Sequence, residues 1–256
     1  MTLVICSIAL TASLLTLFSG FGLGTLLLPA FAAFFPVDAA VAMTALVHFA
    51  NNLFKLALLG RKADLSVTLR FGAPAVAASF LGARILLWLS DLPPLLEYSL
   101  AGHPAAVTPV KLLIAALMLS FAALEASPSL ADISCDRRYL PAGGALSGFF
   151  GGLSGHQGAM RSVFLLRCGL TGEGFVATGV VVACLVDATR LIVYFRHFSS
   201  TGVGENASLL AAATACAFLG AWIGIRLLKK ATIGAVRRAV ALMLAVFAAA
   251  LGSGLL

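Results

Sequence analysis

Apolar positions run almost unbroken along this chain, and the polar ones cut it into lengths close to a membrane thickness. Hydrophobic runs cover about residues 3–35, 38–59, 66–89 and 108–125, then 140–166, 173–195, 208–228 and 235–256. A run of about 20 apolar residues can cross a hydrocarbon core as a helix. The polar stretch from Glu125 to Tyr139 separates the first four runs from the last four. Two runs do not read as one plain helix. Residues 3–35 exceed an ordinary span and hold Gly20, Gly22, Gly24 and Pro29. Residues 140–166 hold seven glycines, with His156, Gln157 and Arg161. Glycine and polar groups at membrane depth predict broken helices whose freed backbone groups line a cavity.

The second half repeats the first. Residues 19–61 align with 154–196 at a constant offset of 135 and without gaps. Ser19-Gly20 falls on Ser154-Gly155, Asn52 on Asp187 and Lys55 on Arg190. Further on, Phe80-Leu81-Gly82-Ala83 matches Phe218-Leu219-Gly220-Ala221. The predicted organisation is a first transmembrane repeat over 1–126, a cytoplasmic linker over 127–139 and a second transmembrane repeat over 140–256.

Loop charge decides how the repeats sit, because lysine and arginine concentrate on the cytoplasmic side. If every run crosses once, six basic loop residues fall inside and six outside. If the first run of each half enters and leaves on one face, ten fall inside and two, Lys111 and Arg196, outside. The second arrangement predicts loops 61–70, 126–139 and 229–238 in the cytoplasm and both termini on the opposite side. Matching helices then run in opposite directions. The expected fold is an all-α integral membrane protein. It has two homologous repeats of inverted topology, each with a broken or re-entrant first helix pair followed by three transmembrane helices. Duplicated bundles with interrupted helices are a common build of secondary transporters.

Composition narrows this further. The chain is 61% hydrophobic and only 11% charged, against about 25% charged in soluble domains. The net charge of +7 follows from basic loops facing the cytoplasm, so no nucleic-acid partner is expected. The five cysteines (Cys6, Cys135, Cys168, Cys184, Cys216) share no ligand spacing, and neither a metal nor a cofactor is predicted.

Ionisable groups inside spans are costly and mark candidate sites. His48, Asn51, Asn52 and Lys55 stand at i, i+3, i+4 and i+7, on one helical face. Asp187 and Arg190 occupy the equivalent face in the second half, where they could also pair with each other as bundle glue. Ser154-Gly155-His156-Gln157 lies in the second break, opposite Ser19-Gly20 in the first. Half-helix N-termini at such breaks favour anions. Among the deep residues Lys55, Arg161 and Arg190 are cationic and Asp187 is anionic, an excess that suits an oxyanion held by guanidinium forks and backbone donors. The expected substrate-binding set is Ser19, Gly20, Asn51, Asn52, Lys55, Ser154, Gly155, His156, Gln157, Arg161 and Arg190. Asp187 is the expected proton-coupling residue, with His48 as the lesser candidate.

These residues resemble a known group. A glycine-rich turn leads into an apolar run (Gly20-Phe21-Gly22-Leu23-Gly24, then Leu28-Pro29), a short polar turn opens a threonine-containing helix (Pro36-Val37-Asp38 to Thr44), and the helix ends at a basic loop (Gly60-Arg61-Lys62). The repeated pattern resembles the sulfite exporter TauE/SafE family of permeases, also called the toluene sulfonate uptake permease family. The resemblance implies an inner-membrane carrier of sulfur-containing or small organic anions, coupled to protons. Its partners would be a small anionic substrate, protons and the lipid bilayer; a homo-oligomer is left open. Two alternatives share parts of the pattern. One is an anion channel. The other is an intramembrane serine protease using Ser154 within Gly152-Leu153-Ser154-Gly155, with His48 as base and with His103 and His197 placed in loops.

Overall fold

The computed structural model describes residues 1–19, 22–100, 103–127, 134–195, 203–227 and 233–256. The first half begins with α1 (Thr2–Ser19), α2 (Leu23–Ala32), α3 (Val37–Leu59) and α4 (Leu65–Ser90), then β1 (Leu96–Leu100), β2 (His103–Val107) and α5 (Pro109–Ala126). The second half contains α6 (Leu140–Ser154), α7 (Gly158–Leu165), α8 (Gly172–Tyr194), α9 (Ala207–Leu227) and α10 (Ile233–Gly252). The basic pair Lys229-Lys230, and Arg196 and His197, lie outside the described residues.

Local sequence explains where the helices begin. The Asp64 carboxylate accepts from the Val67 N–H at 2.8 Å and caps α4. Thr171 caps α8 by accepting from Gly174 N–H at 3.1 Å. Thr108 caps α5, with Pro109 in the first turn where its missing N–H costs nothing. α2 and α7 start 135 residues apart, and α3 and α8 share that offset at both ends.

The helix contacts repeat with the halves exchanged. α4 of the first half packs along α6 of the second, and α9 of the second packs along α1 of the first. α4 also meets α8, and α9 meets α3. The equivalent helices α3 and α8 lie against each other, as do α5 and α10. α3 and α8 are antiparallel. Lys62 and Asp64, beyond the end of α3, meet Glu173 and Thr178 near the start of α8, while His48 and Asn52 meet Asp187 farther along it.

Glycine makes the closest crossing possible. A Cβ on Gly144, Gly148 or Gly152 would stand 2.1, 2.1 or 2.0 Å from the carbonyl oxygens of Phe71, Ala75 and Ser79. Only hydrogen fits there, so α6 lies directly on the backbone of α4. Gly220 plays the same part against Leu10 of α1, at 2.2 Å.

Four described helices are long and apolar enough to cross a membrane: Val37–Lys62, Leu65–Ser90, Gly172–Tyr194 and Gly204–Arg226. Among the described residues, each half contributes two such spans. The third helices, α5 and α10, carry shorter apolar stretches, Pro109–Leu124 and Val240–Gly252. The helices on either side of the breaks, α2 and α7, are short at 10 and 8 residues.

The β1–β2 hairpin is a departure from expectation, and it places His103 on a strand rather than in a loop. Its alternating Leu96-Glu97-Tyr98-Ser99-Leu100 is only five residues long, too brief to stand out between two apolar runs. The hairpin closes over the end of α10. Ala106 N–H donates to the Gly254 carbonyl at 3.3 Å, and the Tyr98 hydroxyl donates to the Ser253 carbonyl.

Candidate functional site

The two breaks meet in the middle of the bundle. α6 stops at Ser154 because Gly155 adopts a left-handed conformation, φ 82°. α7 restarts at Gly158. In the first half α1 ends at Ser19 and extended Gly22 caps α2, while Gly20 lies outside the described residues. A Cβ on Gly24 would stand 3.3 Å from the Gly155 carbonyl oxygen, so the two breaks touch. A Cβ on Gly22 would stand 3.2 Å from His48 Nε2. The glycines thus bring both interrupted backbones to the middle of α3 and α8.

The side chains at that point form one network around Asp187, whose residue is fully buried. One carboxylate oxygen receives Arg190 Nε at 3.0 Å and Gln157 Nε2 at 3.3 Å. The other lies 2.6 Å from His48 Nδ1 and accepts from Asn52 Nδ2 at 3.2 Å. α3, α8 and the second break each contribute, so the carboxylate joins three elements. Arg190 also has zero exposure. Its Nη2 is ion-paired with the same Asp187 oxygen at 2.8 Å, and its Nη1 is buried without a hydrogen-bond partner. The guanidinium is therefore held by the carboxylate at Nε and Nη2, and Nη1 is left without a partner. A Cβ on Gly155 would come within 2.8 Å of Nη1, so glycine lets the guanidinium lie directly against the break.

A second polar group lies beside the first. Lys55 is buried, and with the Asn51 amide turned so that its donors and acceptors are both satisfied, the ammonium donates to the amide oxygen at 3.1 Å. Asn51 in turn donates to the Ala217 carbonyl of α9 at 3.1 Å and accepts from Ser13 of α1 at 3.1 Å. Arg161, on α7, lies across Gly179, where a Cβ would be 3.0 Å from its Nε. Its Nη1 is inaccessible and without a partner.

Five of the thirteen residues expected to act together, His48, Asn52, Gln157, Asp187 and Arg190, form one connected set. The face carrying His48, Asn51, Asn52 and Lys55 is divided, with His48 and Asn52 on Asp187, Asn51 turned toward α1 and α9, and Lys55 on Asn51. Ser154 and His156 face each other, Nδ1 to Oγ at 3.0 Å, and Ser154 also donates to the Phe150 carbonyl of its own helix. His156 stacks on Phe121 of α5 at 5.2 Å, and its Nε2 is buried without a partner. His48 is engaged by Asp187 and does not reach Ser154 as the protease alternative requires. Among the described residues no group of His, Cys, Asp and Glu could hold a metal ion.

Two participants escaped sequence reasoning. Tyr194 is buried and its hydroxyl donates to the Gly152 carbonyl, tying the end of α8 to the last turn before the break. It stands four residues after Arg190 and seven after Asp187, and that helical spacing was the available signal. Ser147 donates to the Gln157 carbonyl at 2.9 Å and braces the break from the other side.

A family model described as Sulfite exporter TauE/SafE matches residues 5–251. Neither the curated proteins nor the solved structures contain a match.

Proposed function

We propose a cargo and a coupling residue for this chain, which belongs to the sulfite exporter TauE/SafE family and is accordingly a multi-pass membrane transporter rather than an enzyme. The cargo is a small sulfur-containing or organic oxyanion, of the sulfonate, sulfite or carboxylate type, carried across the cell inner membrane. The observation that carries this reading is the unpartnered Nη1 of Arg190, fully buried, positioned by Asp187 and lying against Gly155 at the break. A planar guanidinium suits an oxyanion in two-point contact, and a buried donor without a partner is costly until it finds one. His156 and Gln157 stand in the same break, with buried Nε2 and Oε1 atoms still unpartnered.

The antiparallel course of α3 and α8, and the exchanged helix contacts, support two repeats of inverted topology with the cargo at their shared axis. In such transporters the repeats rock around a fixed central site. The proton-coupling residue is Asp187. Cargo arriving at Arg190 competes for the guanidinium that now holds the carboxylate. A carboxylate relieved of that partner takes up a proton more readily. His48, at 2.6 Å, is placed to pass the proton. Anion and proton then bind together, the reciprocal linkage that symport requires.

A thermal-shift titration of the purified protein with sulfite, small sulfonates and small carboxylates tests the binding step, because a ligand of the folded state raises the melting temperature. At least one of these anions stabilises the parent, and Arg190→Gln weakens that response roughly tenfold to a hundredfold, the loss of a charge-assisted hydrogen bond. Equal binding by parent and variant would remove Arg190 from the site.

A further inference from the structure

One side chain at the centre ends in an atom with nothing to bind. Gln157 stands in the second break with no exposed surface. Its amide nitrogen donates to Asp187 Oδ1 at 3.3 Å, the same oxygen that receives Arg190 Nε at 3.0 Å. The amide and the guanidinium therefore flank one atom. Arg190 Nη1 lies against Gly155, two residues before Gln157. A carboxylate paired with a guanidinium can only accept, so the amide turns its NH2 to Asp187 and its carbonyl oxygen away. That oxygen, Oε1, is buried and has no hydrogen-bond partner. The break does not need this amide in order to form. The offset of 135 places Gln157 on Gly22, and the first break is made with no side chain there. The backbone of Gln157 is held separately, by Ser147 Oγ donating to its carbonyl at 2.9 Å.

We infer that Gln157 Oε1 determines specificity as an acceptor, and that the cargo is an oxyanion that also carries a hydroxyl group. This rests on the anion-carrier reading above and adds to it a second feature of the cargo. The anionic group takes Arg190 Nη1, and the hydroxyl donates to Gln157 Oε1. An anion without a donor satisfies the guanidinium but leaves the amide oxygen buried and unpaired beside negative charge. A hydroxyl suits the position better than an ammonium, because the acceptor is neutral. Asp187, the only buried acid among the described residues, is already held by Arg190, Gln157, His48 and Asn52.

Hydroxylated anions are compared with analogues in which a methyl replaces the hydroxyl: glycolate with propionate, 2-hydroxyethanesulfonate with 1-propanesulfonate, and 3-hydroxypropanesulfonate with 1-butanesulfonate. The spacing between the two groups differs from pair to pair. Each anion is titrated against the purified full-length protein at constant ionic strength, with melting temperature as the readout. In at least one pair the hydroxylated anion half-saturates the parent at a concentration about tenfold below that of its methyl analogue. Transfer out of water alone favours the methyl, so the sign of the difference is diagnostic. Gln157→Met, close in size and without the acceptor, brings that ratio to one or below and still binds the methyl analogue. Arg190→Gln weakens both members of the pair. A methyl analogue that binds as well as the hydroxylated anion in every pair overturns the inference and leaves the anion site intact; a water shared by Nη1 and Oε1 would give that result. A ratio unchanged by Gln157→Met overturns it too. Tighter binding of 2-aminoethanesulfonate than of 2-hydroxyethanesulfonate overturns the choice of a neutral donor. If Gln157→Met does not fold, the parent ratios still decide. No response to any of these anions or to sulfite overturns the anion-carrier reading and this inference with it.

Discussion

Replacing Gly155 by alanine perturbs the proposed site through one methyl group. Two effects follow from the structure. The first is conformational: φ is 82°, and an L-residue in the left-handed region costs about 1–2 kcal/mol. The second is steric: the new Cβ falls 2.8 Å from Arg190 Nη1, closer than two such atoms approach without displacement. Arg190 has no exposed surface into which to retreat. The guanidinium must either give up its aim at the break or loosen its 3.0 Å bond to Asp187. Losing one charge-assisted hydrogen bond to cargo weakens binding by about 1.5–3 kcal/mol, roughly tenfold to a hundredfold. Gly169→Ala is the matched control, because Gly169 has φ 70° but nothing within 4 Å of its added Cβ. Both variants bear the backbone strain, and only Gly155→Ala meets the guanidinium. Thermal titration with sulfite or methanesulfonate reads both quantities, the ligand-free melting temperature and the half-saturating concentration. Both melting temperatures fall, while the half-saturating concentration rises only for Gly155→Ala. Parent-like binding by Gly155→Ala, or an equal loss in Gly169→Ala, would refute the reasoning.

Other expectations follow from the same contacts. Asp187→Asn should still exchange labelled cargo across liposomes, but an imposed proton gradient should no longer drive accumulation; unchanged proton-driven accumulation moves the coupling role to His48, with His48→Gln as the next variant. Gly148→Val and Gly152→Val should reduce the yield of folded protein sharply, because even a Cβ there would overlap the Ala75 and Ser79 carbonyls at 2.1 and 2.0 Å; folded, parent-like yields would contradict the close α4–α6 crossing. Lys62→Met removes an exposed bridge to Glu173, so its stability should change by no more than about 1 kcal/mol in thermal unfolding, and a larger loss would mark that bridge as structural. A cysteine at position 233 should resist membrane-impermeant labelling from outside intact cells, since labelling there contradicts the cytoplasmic placement of loop 229–238.

Much of this centre is legible in the sequence because membrane burial makes polar residues conspicuous. His48, Asn52, Asp187, Arg190 and Gln157 stand out against apolar runs, and the 135-residue offset places the two faces opposite each other. The breaks are legible for the same reason, as glycines gathered inside spans. Helical spacing does not resolve which neighbour each side chain on a face will choose. Asn51 and Asn52 are adjacent in sequence and lie about 100° apart around α3. That angle is enough to send Asn51 to Ser13 and Ala217 while Asn52 reaches Asp187. Contacts between the exchanged helices are less visible still. Phe121 looks like any apolar residue of α5 until the fold stacks it on His156. The β1–β2 hairpin is hidden by its short strands and by longer signals on both sides.

The most direct test of the account is flux through purified protein in sealed liposomes, with sulfite and methanesulfonate as cargo and the parent compared with Arg190→Gln at matched protein content. The account predicts saturable uptake of at least one of these anions by the parent, increased by an inward proton gradient, and a loss of about tenfold or more in Arg190→Gln. Flux that does not saturate, or an Arg190→Gln variant that carries the anion as fast as the parent, would contradict it.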